Sequence, residues 1–319
     1  MKGLTMKTTL LSRKQAWGGC DSLDVIRKYG SKVAPTDLAV LLGCFMESKL
    51  NCDYTSEGDI ACATWCASPI DKGVVDAMSH NGKRGNADAS GRCLGIRPIL
   101  LPSETFKITP NNIKTDASGI RTVEYGEYPQ TVADEHISAQ LEKWYRTGHL
   151  PSTGKHYTFD ATDGADYDVS FEENVCPEYK LDGKKYIRVV GAPVEGTDGG
   201  SDGECLGHPG IYGILSSGKL AHAGHPYWVE VKPIEWLVDR TTTWVSKKAL
   251  ISGIQYDSAM RNKDDFSKSF MAEYLRTCFD YEMLPTDEYL KATKERDALA
   301  ETKRKEERRF NLFRPKMRA

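Results

Sequence analysis

"TWCASPIDKGVVDAMSHNGKRGNADASGRCLGIRPILLP", residues 64–102, decides how this chain is read. A Trp-containing segment leads to a Ser68-Pro69 turn, a Val74-Val75 strand and a His80-Asn81-Gly82 turn. A loose stretch of small and polar residues follows and ends against the rigid run Gly95-Ile96-Arg97-Pro98-Ile99-Leu100-Leu101. Gly, Asn, Asp and Ser break the segment into short strands and long loops. Val74-Val75 and Ile99-Leu100-Leu101 are its apolar runs. The contrast has a physical reading: the apolar runs are anchoring strands, and the loose part between them is a surface that faces a ligand.

Upstream, "CDSLDVIRKYG" at 20–30 predicts a helix. Asp21 or Ser22 caps it, Leu23, Val25 and Ile26 form its apolar face, and Gly30 stops it. "TDLAVLLGCFM" at 36–46 predicts a second helix, capped by Thr36 or Asp37, or a buried strand. Helices thus precede strands in a first α+β unit.

Downstream, residues 103–121 are polar and carry Pro110-Asn111-Asn112, as a linker does. A second unit begins at 122, where Val123, Tyr125 and Tyr128 predict a strand ending in a Pro turn. "SAQLEKWYRTGHL" predicts an amphipathic helix with Leu141, Trp144 and Tyr145 on one face and Gly148 as its stop. "KKYIRVVG" and "YWVEVKPIEWLVDR" predict strands, and "TWVSKKALISGIQYD" another strand pair. The Gly-rich stretch 191–224 is too polar for core. "DFSKSFMAEYLRTCF" predicts a helix with Phe270, Tyr274 and Leu275 inward, and the charged run from Asp287 to Arg309 a solvated helix. The expected organisation is a unit at 15–105, a linker at 106–121, a unit at 122–286 and a charged helical tail at 287–319.

The 319 residues suffice for two domains, and 39% hydrophobic with 28% charged residues is an ordinary globular balance. A formal net charge of −2 gives no global pull towards nucleic acid or anionic membrane. No run of about 18 apolar residues is present to span a bilayer. Ser12, Arg13 and Lys14 interrupt any secretory apolar segment after the N-terminus, so the chain is expected in the cytoplasm, or as cargo exported by a route that needs no signal. Nine scattered cysteines without a CxxC pair read as free reduced thiols.

Seven histidines occur, and His222 and His225, with His208, invite a metal reading. Gly224 and Pro226 argue against a helix there, and solvent-facing loop histidines are the simpler reading. "GTDGGSDGE" at 196–204 has the composition of a calcium loop but not its order of ligands, and reads as a turn-rich loop. GxxxxGK[ST] and GxGxxG patterns are absent. No acid–base pair singles itself out among 45 acidic residues, so no catalytic residue, metal or cofactor is expected.

Trp65, Ser68-Pro69, Val74-Val75, His80-Asn81-Gly82 and Gly95-Ile96-Arg97-Pro98-Ile99 together resemble the end of the C-type lectin fold in variable proteins of diversity-generating retroelements. More broadly they are similar to formylglycine-generating-enzyme-like domains. "VEYGEYPQT", "PIEWLVDR" and "KKALISGIQYD" are similar to an uncharacterised bacterial domain often found with that module. The resemblance covers most of 15–285. It implies an α+β chain: a C-type lectin-like domain, then a second α+β domain with antiparallel strands and a charged C-terminal helix. It also implies a non-catalytic recognition protein with a diversifiable surface for a protein ligand. Some proteins with this pair of modules carry a MoxR-type AAA+ ATPase after it; here such an ATPase is expected as a separate partner.

Carried over position by position, the resemblance gives an exposed ligand-binding set of Cys66, Asp71, Asp76, Met78, Lys83, Gly85, Asn86, Asp88 and Ser90. Trp65, Arg97 and Pro98 become structural, with the Arg97 guanidinium bonding loop carbonyls and Pro98 fixing the start of the strand. The stretch departs from such binding faces in having almost no Tyr or Trp beyond Trp65. Two alternatives stand beside this reading. One is a phage or prophage fibre or decoration protein. The other is a formylglycine-generating-type oxidase, for which Cys62, Cys66 and Cys93 are the candidate thiols.

Overall fold

A computed structural model describes residues 6–19, 22–29, 32–46, 61–71, 73–79, 82–102, 113–159, 175–192, 213–240, 243–257 and 265–313. In chain order these form β1 (Met6–Thr9), α1 (Arg13–Trp17), α2 (Asp24–Tyr29), α3 (Asp37–Leu41), β2 (Thr64–Asp71), β3 (Val74–Met78), β4 (Arg84–Asp88) and β5 (Ile99–Pro102). Then come β6 (Lys114–Thr115), β7 (Arg121–Val132), α4 (Glu135–Arg146), β8 (Ser152–Thr158), β9 (Val175–Leu181), β10 (Lys184–Val190), β11 (Pro226–Arg240) and β12 (Thr243–Ser246). α5 (Phe270–Tyr274) passes through a π turn into α6 (Asp280–Glu282), and α7 (Thr286–Phe313) follows. The chain is α+β, and the pairings between its named strands are antiparallel.

β11 is the spine of the larger sheet. It pairs β10 near its start, β12 near its end, and β7 along its other edge. Its second half, Ile234 to Asp239, is almost continuously buried, as a strand covered on both faces must be. β7 does not end at Pro129 as expected. It runs on to Val132, and Pro129 sits beside a register shift in β11, where the ladder is already broken and a missing N–H costs little.

The first expected unit does not keep a core of its own. β1 pairs β5, β5 pairs β12 through Leu100↔Trp244 and Ile99↔Val245, and so both join the spine. Leu10, Trp65, Val75 and Leu100 lie in one hydrophobic cluster with Tyr128, Trp236, Trp244 and Phe279. Lys114 and Thr115, expected as linker, form β6 against β7. The Thr8 N–H donates to Asp280 Oδ1 at 3.0 Å and ties β1 to α6.

Several local expectations change for local reasons. Residues 37–41 are helix, because Thr36 Oγ1 caps the Ala39 N–H at 3.1 Å. Leu141 of α4 is fully buried, but Trp144 and Tyr145 are 37% and 40% exposed. Tyr145 meets Trp228 and Tyr179 only edge-on at the rim of a satellite cluster. Leu215 and Ala221, from the stretch expected to be too polar, are buried in the main core. Asp37 holds that stretch by accepting from the Ser216 N–H and hydroxyl. A strand, β1, precedes the helices of the first unit. Phe270, Tyr274 and Leu275 point inward, in line with the sequence reading.

The start of α7 is held by buried charges. Glu178 accepts from Tyr157 Oη at 2.8 Å, Thr286 Oγ1 at 2.7 Å and Thr153 Oγ1 at 2.9 Å. The Lys155 ammonium donates to the Leu284 carbonyl at 2.6 Å and lies 3.6 Å from Glu127. Beside it, burial pushes the Glu282 carboxyl from an ordinary 4.5 up to about 8, against the pull of the Thr158 N–H at 2.8 Å. The folded chain therefore keeps a proton that the unfolded chain releases near pH 4.5. Stability from this group is present below that pH and is lost as pH rises to about 8. Asp280, raised by burial to about 6, adds to the loss at the acid end. Lys155, lowered by burial to about 8, acts oppositely, restoring stability only above that pH. Glu282→Gln is expected to flatten the fall in Tm between pH 6 and 8. An unchanged slope in a Tm-against-pH series refutes the assignment.

Candidate functional site

β2, β3 and β4 form a separate three-stranded sheet. Its register sets two faces. Trp65, Ala77 and Gly85 stand opposite one another on the inner face, where Trp65, Val75 and Ala77 enter the main core. Trp65 lies 5.7 Å from the Tyr256 ring. On the other face, Asp76 stands opposite Asn86, Met78 opposite Arg84, and Val74 opposite Asp88. The β3–β4 turn closes with the Gly82 N–H on the Ser79 carbonyl at 2.8 Å, and Gly82 takes φ 81°, a conformation that favours glycine.

The outer face is only half open. The segment before α1 crosses β2, where the Ala67 N–H donates to the Leu11 carbonyl at 2.7 Å. Leu11 and Ala16 then pack on Cys66 and Met78, with Trp17 at the edge. Cys66, Asp76 and Met78, expected at the ligand surface, are therefore each 0% exposed. Their alternation does place them on the outer face, but α1 and the segment before it cover that part. Gly85 is half-buried on the inner side. Lys83, Asn86, Asp88 and Ser90 are exposed, along β4 and the turns that flank it. Asp88 Oδ1 accepts from the Ser90 N–H at 2.8 Å and its hydroxyl at 2.6 Å, which stiffens the turn after β4. Asp71 ends β2 opposite Val74.

The frame behind this sheet is rigid. Arg97 is buried, and its Nε donates to the Ser246 carbonyl at 2.9 Å, while the Ser246 N–H donates to the Pro98 carbonyl at 3.0 Å. This exchange clamps the start of β5 to β12. Burial lowers the Arg97 guanidinium to about 10.

Where α1 stops covering the sheet, a cleft of about 630 Å³ opens. Arg13, Lys14 and Trp17 line one wall, and Ser68, Pro69 and Arg84 the other. Asp76 lies under it, with Oδ2 at 2.6 Å from Arg13 Nε and Oδ1 at 2.8 Å from Arg84 Nε. Ser68 Oγ accepts from the Arg13 N–H at 2.8 Å, fixing the walls to each other. None of Arg13, Lys14, Trp17 and Arg84 belongs to the set read from the sequence. Arg13 and Lys14 stand there only as an interruption of an apolar segment, and nothing local shows that they return to a strand 63 residues away. Family models, curated proteins and solved structures yield no match to this chain.

Of the candidate thiols, Cys62 and Cys66 are buried and Cys93 is half-buried. Cys66 is pushed up to about 12 by burial first and by the Asp76 charge second. Cys62 is buried in a different cluster, and its thiol faces the Val33 carbonyl at 3.5 Å. A thiolate is disfavoured at Cys66, the reverse of what a reactive cysteine needs. Among the described residues, no three His, Cys, Asp or Glu side chains gather as metal ligands. His222 and His225 are exposed, whereas His80, His208 and the 196–204 loop lie outside the described residues. No helix among the described residues is long and apolar enough to cross a membrane.

Proposed function

We propose that this is a non-catalytic recognition protein with a tunable surface on a C-type lectin-like frame, and that its ligand is a protein. The observation that carries the reading is the division of labour within one small sheet. β4 alternates exposed and half-buried positions, with Arg84, Asn86 and Asp88 outward, while β3 is buried from Val75 to Met78 and β2 from Thr64 to Cys66. Substitution on β4 leaves the anchors Trp65, Arg97 and Pro98 untouched. The lectin-like frame is supported by the order of parts: Trp strand, Val-Val strand, Gly82 turn, loose strand, then Gly-x-Arg-Pro leading into β5. Pairing of β1 with β5 brings the two ends of that unit side by side.

Sequencing the locus around codons 60–100 tests the reading. The expected result is a near-repeat copy of this segment, differing at adenines, beside a reverse-transcriptase gene. A locus with neither removes the diversification claim and moves the phage-structural reading ahead.

A further inference from the structure

The cleft between α1 and the three-stranded sheet carries more cation than its fold requires. Asp76 is 0% exposed, and one guanidinium would neutralise it. It has two, from Arg13 and Arg84, each almost half exposed at 46% and 48%. Among the described residues Asp76 is the one carboxylate paired with either. Arg13, Arg84 and Asp76 together therefore carry a net charge of +1 at the floor of the cleft. Among the described residues no Asp or Glu lines the cleft to cancel it.

Both arginines use Nε on Asp76. That bond fixes each guanidinium plane and leaves the two terminal nitrogens of each as donors. Paired, pre-oriented guanidinium groups match the geometry of a carboxylate or a phosphate monoester. Trp17 and Pro69 supply flat apolar walls beside them, and about 630 Å³ falls in the range of clefts that take small organic ligands.

We infer that this cleft binds an oxyanion, a carboxylate or a phosphate monoester, carried on a flat apolar body, with Arg13 and Arg84 as its ligands and Trp17 as the stacking wall. The inference rests on the recognition reading above and names the chemistry that the recognised group must have. On a protein ligand that group is an acidic or phosphorylated side chain beside an aromatic one.

The test is calorimetric titration of the full chain at low ionic strength with phenyl phosphate, benzoate and, as a neutral control, benzyl alcohol. The expected result is saturable one-site binding of an anion and none of benzyl alcohol. Tighter phenyl phosphate assigns the site to phosphate, and tighter benzoate assigns it to carboxylate. Arg84→Gln keeps Arg13 on Asp76 and so keeps the fold, checked by its Tm, yet should weaken binding about tenfold through loss of one charge-assisted contact. Lys14→Gln, which leaves Asp76 and both its arginines in place, should weaken binding less. Absence of saturable binding by either anion to a folded chain overturns the inference, as does equal affinity in the folded Arg84→Gln variant. These outcomes are separate from the locus test: a diversified locus with no anion binding leaves the recognition reading and removes this site. Anion binding that depends on Arg84, without a diversified locus, does the reverse.

Discussion

Replacing both Arg13 and Arg84 with alanine will destabilise the chain by about 3–5 kcal/mol near neutral pH, because a buried carboxylate is left without a cation. Asp76 is wholly buried, whereas its two partners are half in water. The cost therefore falls on Asp76. Either single alanine variant should cost much less, since the other guanidinium remains within hydrogen-bond distance. The pair is then strongly non-additive, as groups sharing one partner are. Adding Asp76→Asn to the double variant should recover most of the loss by removing the stranded charge. Urea unfolding of the four variants measures this. A double variant that costs under about 1 kcal/mol makes the trio an ordinary surface pair. It would also remove the reason for the fixed guanidinium planes in the cleft.

Trp244→Ala should cost about 3–5 kcal/mol, as large buried aromatics do when truncated. The residue is 0% exposed and sits on β12, where it pairs with Leu100 of β5 and Val238 of β11. It joins β5, and through it β1, to the spine of the large sheet. Because the two expected units share this core, the loss should appear in one transition. Far-ultraviolet circular dichroism and tryptophan fluorescence should follow the same shifted curve. Two separated transitions, with only one moved, would mean that the shared cluster does not couple the halves.

Much of the fold is legible where the signal is local. The Val74-Val75 strand, the strands of "KKYIRVVG" and "YWVEVKPIEWLVDR" and the inward side of α5 follow from apolar runs, β-branched composition and helical spacing, whereas 36–46 reads as either a helix or a buried strand and only the structure decides for the helix. What is not legible is long-range. The pairing of β5 with β12 joins Leu100 to Trp244, and no local pattern announces it. Strand β1 is four residues long and too short to show a period. That short strand leads the chain into α1, and α1 decides the candidate site. The resemblance places Cys66, Asp76 and Met78 on an exposed face, and the cover that Leu11, Ala16 and Trp17 lay over them cannot be read from residues 64–102. The same cover brings Arg13 to Asp76 and makes the cleft.

A paired-library experiment tests the proposed recognition surface most directly. One library randomises Lys83, Asn86, Asp88 and Ser90 together, and a matched library randomises Cys66, Asp76 and Met78. Surface changes of the first kind typically move stability by about 0.5 kcal/mol or less, whereas buried ones cost several times more. The account predicts that most members of the first library fold with a near-native Tm and yield binders to a chosen protein target, and that most of the second unfold. First-library members that unfold as often as the second, or that fold and yield no binders, would contradict it.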